Sequence, residues 1–152
     1  MKIFRKTVQI NVSAEKLEAW HYEKGAFERL CPPWEKMKVI EAPAEIADGT
    51  RVVIATKTGP LWLKWVAEHR DCRPGESFAD IQISGPFANW IHLHRFHSLG
   101  ENCCELEDLI TYRLPFGFIG DWFGSAFVKR KLQRVFEYRH RVTKESLESV
   151  EV

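Results

Sequence analysis

Apolar and polar positions change period twice along the chain. Residues 3 to 12 alternate loosely, with Phe4, Val8, Ile10 and Val12 on one face, which predicts a first strand. Ser13 stands where a helix N-cap belongs, and AEKLEAWHYEKG follows with Leu17 and Trp20 on one face and Gly25 as a stop. A second short helical piece, AFERL, ends before Cys31-Pro32-Pro33, because a residue preceding proline avoids the α region. From there the pattern is almost all β. Strands are predicted over 36–42, 50–57, 61–72, 76–84, 88–98 and 103–114, joined by DG, GP, RPG, SGP and GEN turns. Connections this short make antiparallel neighbours. The helical period then returns from Phe118 to Val142, through Phe118, Trp122, Phe123, Ala126, Phe127, Leu132, Val135 and Phe136. Residues after Thr143 are polar and are expected to fray.

This order predicts an α+β fold: a seven-stranded curved antiparallel sheet around a long C-terminal helix, with two short helices between strands 1 and 2. Only the last helix is long enough to cover one face of the sheet. A bent sheet facing bulky aromatics rarely packs shut, so an apolar cavity of ligand size is expected, lined by Trp65, Trp90, Phe96, Tyr112 and the terminal helix. Trp65 is taken as the inward tryptophan of its strand because it shares a face with Leu61, Leu63 and Ala67, whereas Trp62 points away.

Length and composition limit what the chain can be. At 152 residues it fits a single domain, 1–152. Folding at that size removes on the order of 70% of the unfolded surface, so no disulfide or metal is needed for stability. With 22 Lys plus Arg against 21 Asp plus Glu, nothing draws the whole molecule toward nucleic acid or an anionic membrane. The run KRKLQRVFEYRHR is read as a solvated helix face. No apolar run reaches the roughly 18 residues of a spanning helix, and the first residues carry no apolar stretch long enough for a signal peptide. Cys31, Cys72, Cys103 and Cys104 form no CxxC pair and are read as reduced thiols. A cytoplasmic location follows. The expected partners are a hydrophobic small molecule and, at most, a second copy of the chain, with neither nucleic acid nor an integral membrane association.

The segment WIHLHRFHSLG puts three histidines into six residues. On a strand Trp90, His92, His94 and Phe96 share one face, and on the next strand Leu106, Asp108, Ile110 and Tyr112 lie opposite the wetter Glu105, Glu107, Thr111 and Arg113. A three-residue hairpin loop makes paired numbers sum to 200 or 202, so Asp108 lies opposite His92 or His94; a two-residue loop sums to 201 and splits the two sets. A carboxylate beside an imidazole fixes its tautomer and raises its basicity. Three readings stay open: a polar patch in an apolar pocket, an acid/base site using His92, His94, Asp108 and Tyr112, and a metal centre. The last lacks a third and fourth ligand, since apart from Asp108 the inner face offers mostly aromatics, so no transition metal is expected. No glycine-rich phosphate loop or nucleophile elbow occurs, and no cofactor is expected.

The chain resembles the SRPBCC superfamily, the START-like or helix-grip fold, in its branch related to polyketide cyclases/dehydrases. The resemblance spans the whole chain. It rests on the element order and on Gly85, Pro86, Phe87, Trp90, His92, His94 and Phe96, then Asp108, Ile110, Tyr112, Leu114, Pro115 and Gly117, and finally Phe136, Tyr138 and Arg139. His97 has no counterpart in that pattern. The resemblance implies binding or carrying of an aromatic, polyketide-like or lipid-like molecule; a cyclase/dehydrase enzyme and a regulatory interaction module are the alternatives. Residues expected at the ligand are Trp65, Phe87, Trp90, His92, His94, Phe96, Asp108, Ile110, Tyr112, Phe118 and Trp122.

Overall fold

The computed structural model describes residues 1–149, side chains excepted at 58 and 118–123. Strand β1 (Lys2–Ile10) buries Phe4 and Ile10 and leads through Ser13, whose hydroxyl accepts from the Lys16 amide at 3.2 Å, into helix α1 (Ala14–Tyr22). Gly25, at φ 83°, takes the left-handed turn that separates α1 from α2 (Ala26–Arg29). Then come β2 (Met37–Glu41), β3 (Arg51–Thr58), β4 (Leu61–Arg73), β5 (Ser77–Ser84), β6 (Asn89–Gly100), β7 (Cys103–Arg113) and α3 (Gly117–Glu148). The sheet runs β1-β7-β6-β5-β4-β3-β2, every neighbouring pair antiparallel. This is the predicted sheet and helix arrangement.

The β6–β7 hairpin reaches the predicted parity by another route. Its turn is the two residues Glu101 and Asn102, but the register shifts between Ser98 and Gly100, so pairs from Ser98↔Cys104 onward sum to 202. A bulge supplies the extra residue that an odd loop would have supplied. His94 therefore faces Asp108, His92 faces Ile110, and Trp90 faces Tyr112.

The fraying expected after Thr143 is overturned. Thr143 is 1% exposed and its hydroxyl donates to the Arg139 carbonyl, while Leu147 is 4% exposed within the core. Burying a leucine side chain stabilises by about 1.5–3 kcal/mol, enough to hold another turn of helix. Lys144 Nζ donates to the Gln9 carbonyl and the Asn11 amide donates to Glu148, tying this last part of α3 to β1.

The core has two apolar halves. One gathers Ile10, Leu17, Trp20, Phe78, Phe96, Leu106 and Leu147; the other Phe4, Trp90, Ile110, Tyr112, Leu132 and Phe136, with Trp65 and Phe87 against it. Along three separate elements the residues between the halves are polar. On β6 they are His92 and His94, on β7 Asp108, and on α3 His140 and Thr143, all buried. The sequence periods of strand and helix thus bring one polar band across the middle of an apolar interior.

Candidate functional site

Asp108 is the centre of that band, with a side chain 4% exposed. His92 Nε2 donates to its Oδ1 at 2.7 Å, and His140 Nε2 donates to its Oδ2 at 2.6 Å. His94 Nδ1 lies 3.0 Å from Oδ1, an ion-pair contact not aligned as a hydrogen bond. On its other side His94 Nε2 donates to Asp80 Oδ2 at 3.1 Å, and His69 Nε2 stands 3.2 Å from Asp80 Oδ1. His69 is held in turn by Thr50, whose hydroxyl is 2.9 Å from Nδ1. The His94 ring stacks on Phe78 at 4.3 Å and its centroid is 3.8 Å from that of His92.

Electrostatics follow from this crowding. Burial alone would raise the Asp108 pKa, but hydrogen bonds from His140 and His92 and the close His94 imidazole outweigh it and hold the carboxyl well below the usual range. Burial, then the charge on His94, pushes His92 down against the opposing pull of Asp108. Burial acts the same way on His94, yet Asp108 and Asp80 flank it and push it up. His21, on α1 beside this group, is lowered by burial and by His94. Its Nδ1 donates to the Leu17 carbonyl at 2.9 Å.

His92, His94 and Asp108 come together as one polar set. Trp65, Phe87, Trp90 and Tyr112 also come together, with centroids 5.0 Å apart for Trp65 and Trp90 and 4.7 Å for Phe87 and Trp90, and Ile110 lies in the same apolar half. Phe96 is elsewhere, packed on His21 and Phe78 in the other half of the core. Tyr112 is four residues along β7 from Asp108, about 13 Å of strand, so it belongs with the aromatics and not with the acid/base set. The side chains of Phe118 and Trp122 lie outside the described residues.

Trp90, Phe96 and Tyr112 are each less than a tenth exposed, Trp90 packing on Tyr112 and Phe96 on Phe78, while the α3 side chains 118–123 expected across from them lie outside the described residues. Beside the polar band, a void of about 10 Å³ is lined by His21, Leu30, His94, Leu106, Asp108, Arg139, His140 and Thr143. It is the size of one water, against the roughly 300–1,000 Å³ of a ligand pocket. The inner face also carries more than aromatic partners. Asp80, His69, His140 and His21 were all unforeseen, and Asp80, His92 and His94 offer ligand atoms within 4.8 Å of one another.

Glu107 sits on the outer face as expected but is not wet. Arg5 Nε donates to it at 2.6 Å and His97 Nε2 at 2.8 Å, leaving the carboxylate 5% exposed. The basic run of α3 is likewise partly engaged: Lys131 pairs with Glu35 at 2.9 Å and Arg134 lies over the Trp34 ring. Among the described residues no helix is long and apolar enough to cross a membrane.

No family model matches this sequence, and no curated relative matches it. Solved structures do. A START superfamily protein from Mycobacterium smegmatis is 12% identical with a TM-score of 0.72, over 97% of this chain and 98% of that one. The Zhui aromatase/cyclase from a Streptomyces species is 14% identical with a TM-score of 0.71, over 97% and 93%. A nucleoside-diphosphate sugar epimerase from Corynebacterium glutamicum is 26% identical with a TM-score of 0.73; the match covers 95% of this chain but 29% of that protein. The chain has the START-like helix-grip fold, that of the SRPBCC superfamily.

Proposed function

We propose that the protein binds or carries a hydrophobic small molecule, aromatic, polyketide-like or lipid-like, between the curved sheet and α3, with the polar end of the ligand against Asp108 and its histidines. The observation behind this reading is the polar band across an apolar interior. Two carboxylates and their imidazole partners are expensive to bury, and well-packed apolar residues of similar volume would often be more stable. Convergent polar groups beside an aromatic cluster are what ligand recognition uses. The half-buried rings Trp65 and Phe87 are the ones that would yield to a ligand. Four free thiols suit a reducing cytoplasm.

Native mass spectrometry of the protein and analysis of its organic extract test the reading directly. A retained hydrophobic molecule is expected, together with quenched indole fluorescence and a higher melting temperature on adding an anthraquinone or a long-chain fatty acid. An empty extract and no response to either probe would end it.

A second reading rests on the Corynebacterium match. There a domain of this kind is under a third of a longer protein. This domain would then associate with a nucleoside-diphosphate sugar epimerase. Mixed with such an epimerase from its own organism, it should elute as a 1:1 complex on size exclusion; separate elution at micromolar concentration rejects it.

A further inference from the structure

We propose that Asp80, His92 and His94 bind one divalent first-row transition ion, with Asp108 orienting both histidines. One ligand atom of each of the three lies within 4.8 Å of the other two. Asp80 and His92 are paired directly across β5 and β6, and His94 is the next residue on the same face of β6. Ligands on adjacent strands of one sheet are held more precisely than ligands on loops.

Donor chemistry and spacing agree. Two imidazole nitrogens and a carboxylate oxygen suit zinc and its first-row neighbours better than calcium or magnesium, which take oxygen alone. Bonds of about 2.0–2.1 Å at tetrahedral angles set donors about 3.3 Å apart. Asp80 Oδ2 and His94 Nε2 are already 3.1 Å apart. His92 spends Nε2 on Asp108 Oδ1, which leaves Nδ1 for the ion. His94 has Nδ1 3.0 Å from the same oxygen and keeps its proton there, so Nε2 takes the ion once it gives up the proton it shares with Asp80. One carboxylate thus backs two ligand histidines, the arrangement that fixes ring orientation and strengthens the donor nitrogen. Asp108 is itself fixed by His140, and His69 stands behind the other oxygen of Asp80.

Charge points the same way. Among the described residues, the ion-pair partners of Asp80 and Asp108 are all imidazoles, with no lysine or arginine. One buried and one half-buried carboxylate without a permanent cation are costly, and a dication offsets both. Asp80 Oδ1 and His94 Nδ1 are buried atoms without an aligned hydrogen bond, so both side chains can adjust toward an ion. Asp80 is 22% exposed and gives a route from solvent. This site needs no organic ligand and runs against the sequence expectation of no metal, which rested on missing partners that β5 supplies.

The test uses the full chain, untagged and stripped with a chelator, titrated with cobalt(II) and zinc(II). One ion per chain is expected, with visible cobalt bands that zinc abolishes. Zinc addition should shift the ring nitrogens of His92 and His94 in NMR spectra and leave His97 unmoved. Asp80→Asn and His94→Ala should each weaken zinc binding at least tenfold, Asp108→Asn by about 10–100-fold, and His97→Ala not at all. Absence of saturable uptake by the folded wild type below millimolar ion overturns the site. So do zinc shifts confined to other histidines, or unchanged affinity in a folded Asp80→Asn. Should the variants fail to fold, the wild-type spectra still decide.

Discussion

Glu107 and Asp108 are neighbours on β7, equally buried at 5% and 4% side-chain exposure, and they face opposite sides of the sheet. On the outer face Glu107 meets Arg5 at 2.6 Å, His97 at 2.8 Å and Arg95 at 3.5 Å. On the inner face Asp108 meets, among the described residues, only imidazoles: His140, His92 and His94. Arginine keeps its charge at every accessible pH, and its stem lets the guanidinium stay wet while covering the carboxylate. Arg5 and Arg95 are 61% and 41% exposed. An imidazole can lose its proton, move it to the other nitrogen or ligate a metal. Equal burial of two acidic residues therefore gives a fixed staple on one face and an adjustable centre on the other.

The largest expected effect comes from removing the inner charge. Asp108→Asn keeps the shape but leaves three imidazoles facing an amide in a dry interior. Breaking a buried charge pair from one side costs about 3–5 kcal/mol. Glu107→Gln should cost about 1–3 kcal/mol, because its arginines can turn to water. Urea denaturation of both variants at pH 7 measures the gap. Equal losses would mean that burial, and not partner chemistry, separates the two faces.

A smaller effect is the pH dependence of the outer site. Burial raises the Glu107 pKa, but hydrogen bonds from His97 and Arg5 outweigh it and hold the carboxyl below its ordinary value. A carboxylate with a depressed folded pKa contributes stability that is fully present above the unfolded value and is lost as pH falls through the folded one. The stability difference between wild type and Glu107→Gln should thus be constant above about pH 6 and shrink below about pH 4.3, the unfolded glutamate value. Denaturation curves from pH 7 to 3 check this. A difference that grows on acidification would mean that Glu107 is protonated in the folded chain.

Much of this comparison was legible in the sequence. Strand alternation alone put His92 and His94 together and set Glu107 and Asp108 on opposite faces, and parity across one short hairpin set Asp108 against His92 or His94, the bulge between Ser98 and Gly100 deciding for His94. Asp80 and His69 depended on the β4–β5–β6 register, which local pattern does not set. His140 was hidden inside a basic run, although the spacing Leu132, Phe136, His140, Thr143, Leu147 marks it as part of the buried stripe of α3. Burial of Glu107 was beyond reach because Arg5 comes from the far end of the chain, 102 residues away. Periodicity also says which face an aromatic ring takes, not whether rings from separate parts of the sheet meet; at Trp65 on β4, Phe87 in the β5–β6 connection and Trp90 on β6 they do.

The smallest effect sharpens the comparison most, because it concerns the same side chain on both faces. His97 and His140 each donate to a buried carboxylate, at 2.8 and 2.6 Å. His97 is 44% exposed and shares Glu107 with two arginines, whereas His140 is 4% exposed and has Asp108 as its partner. Losing His97 opens Glu107 to water and leaves its guanidinium pairs, so His97→Ala should cost less than about 1 kcal/mol, the range of exposed ion pairs. Losing His140 leaves one oxygen of Asp108 facing a dry gap, and His140→Ala should cost about 1–3 kcal/mol or more. Thermal and urea unfolding at pH 7 measure both. If the two alanine variants prove equally destabilised, the arginines do not compensate for a lost imidazole, and the outer cluster is as interdependent as the inner one.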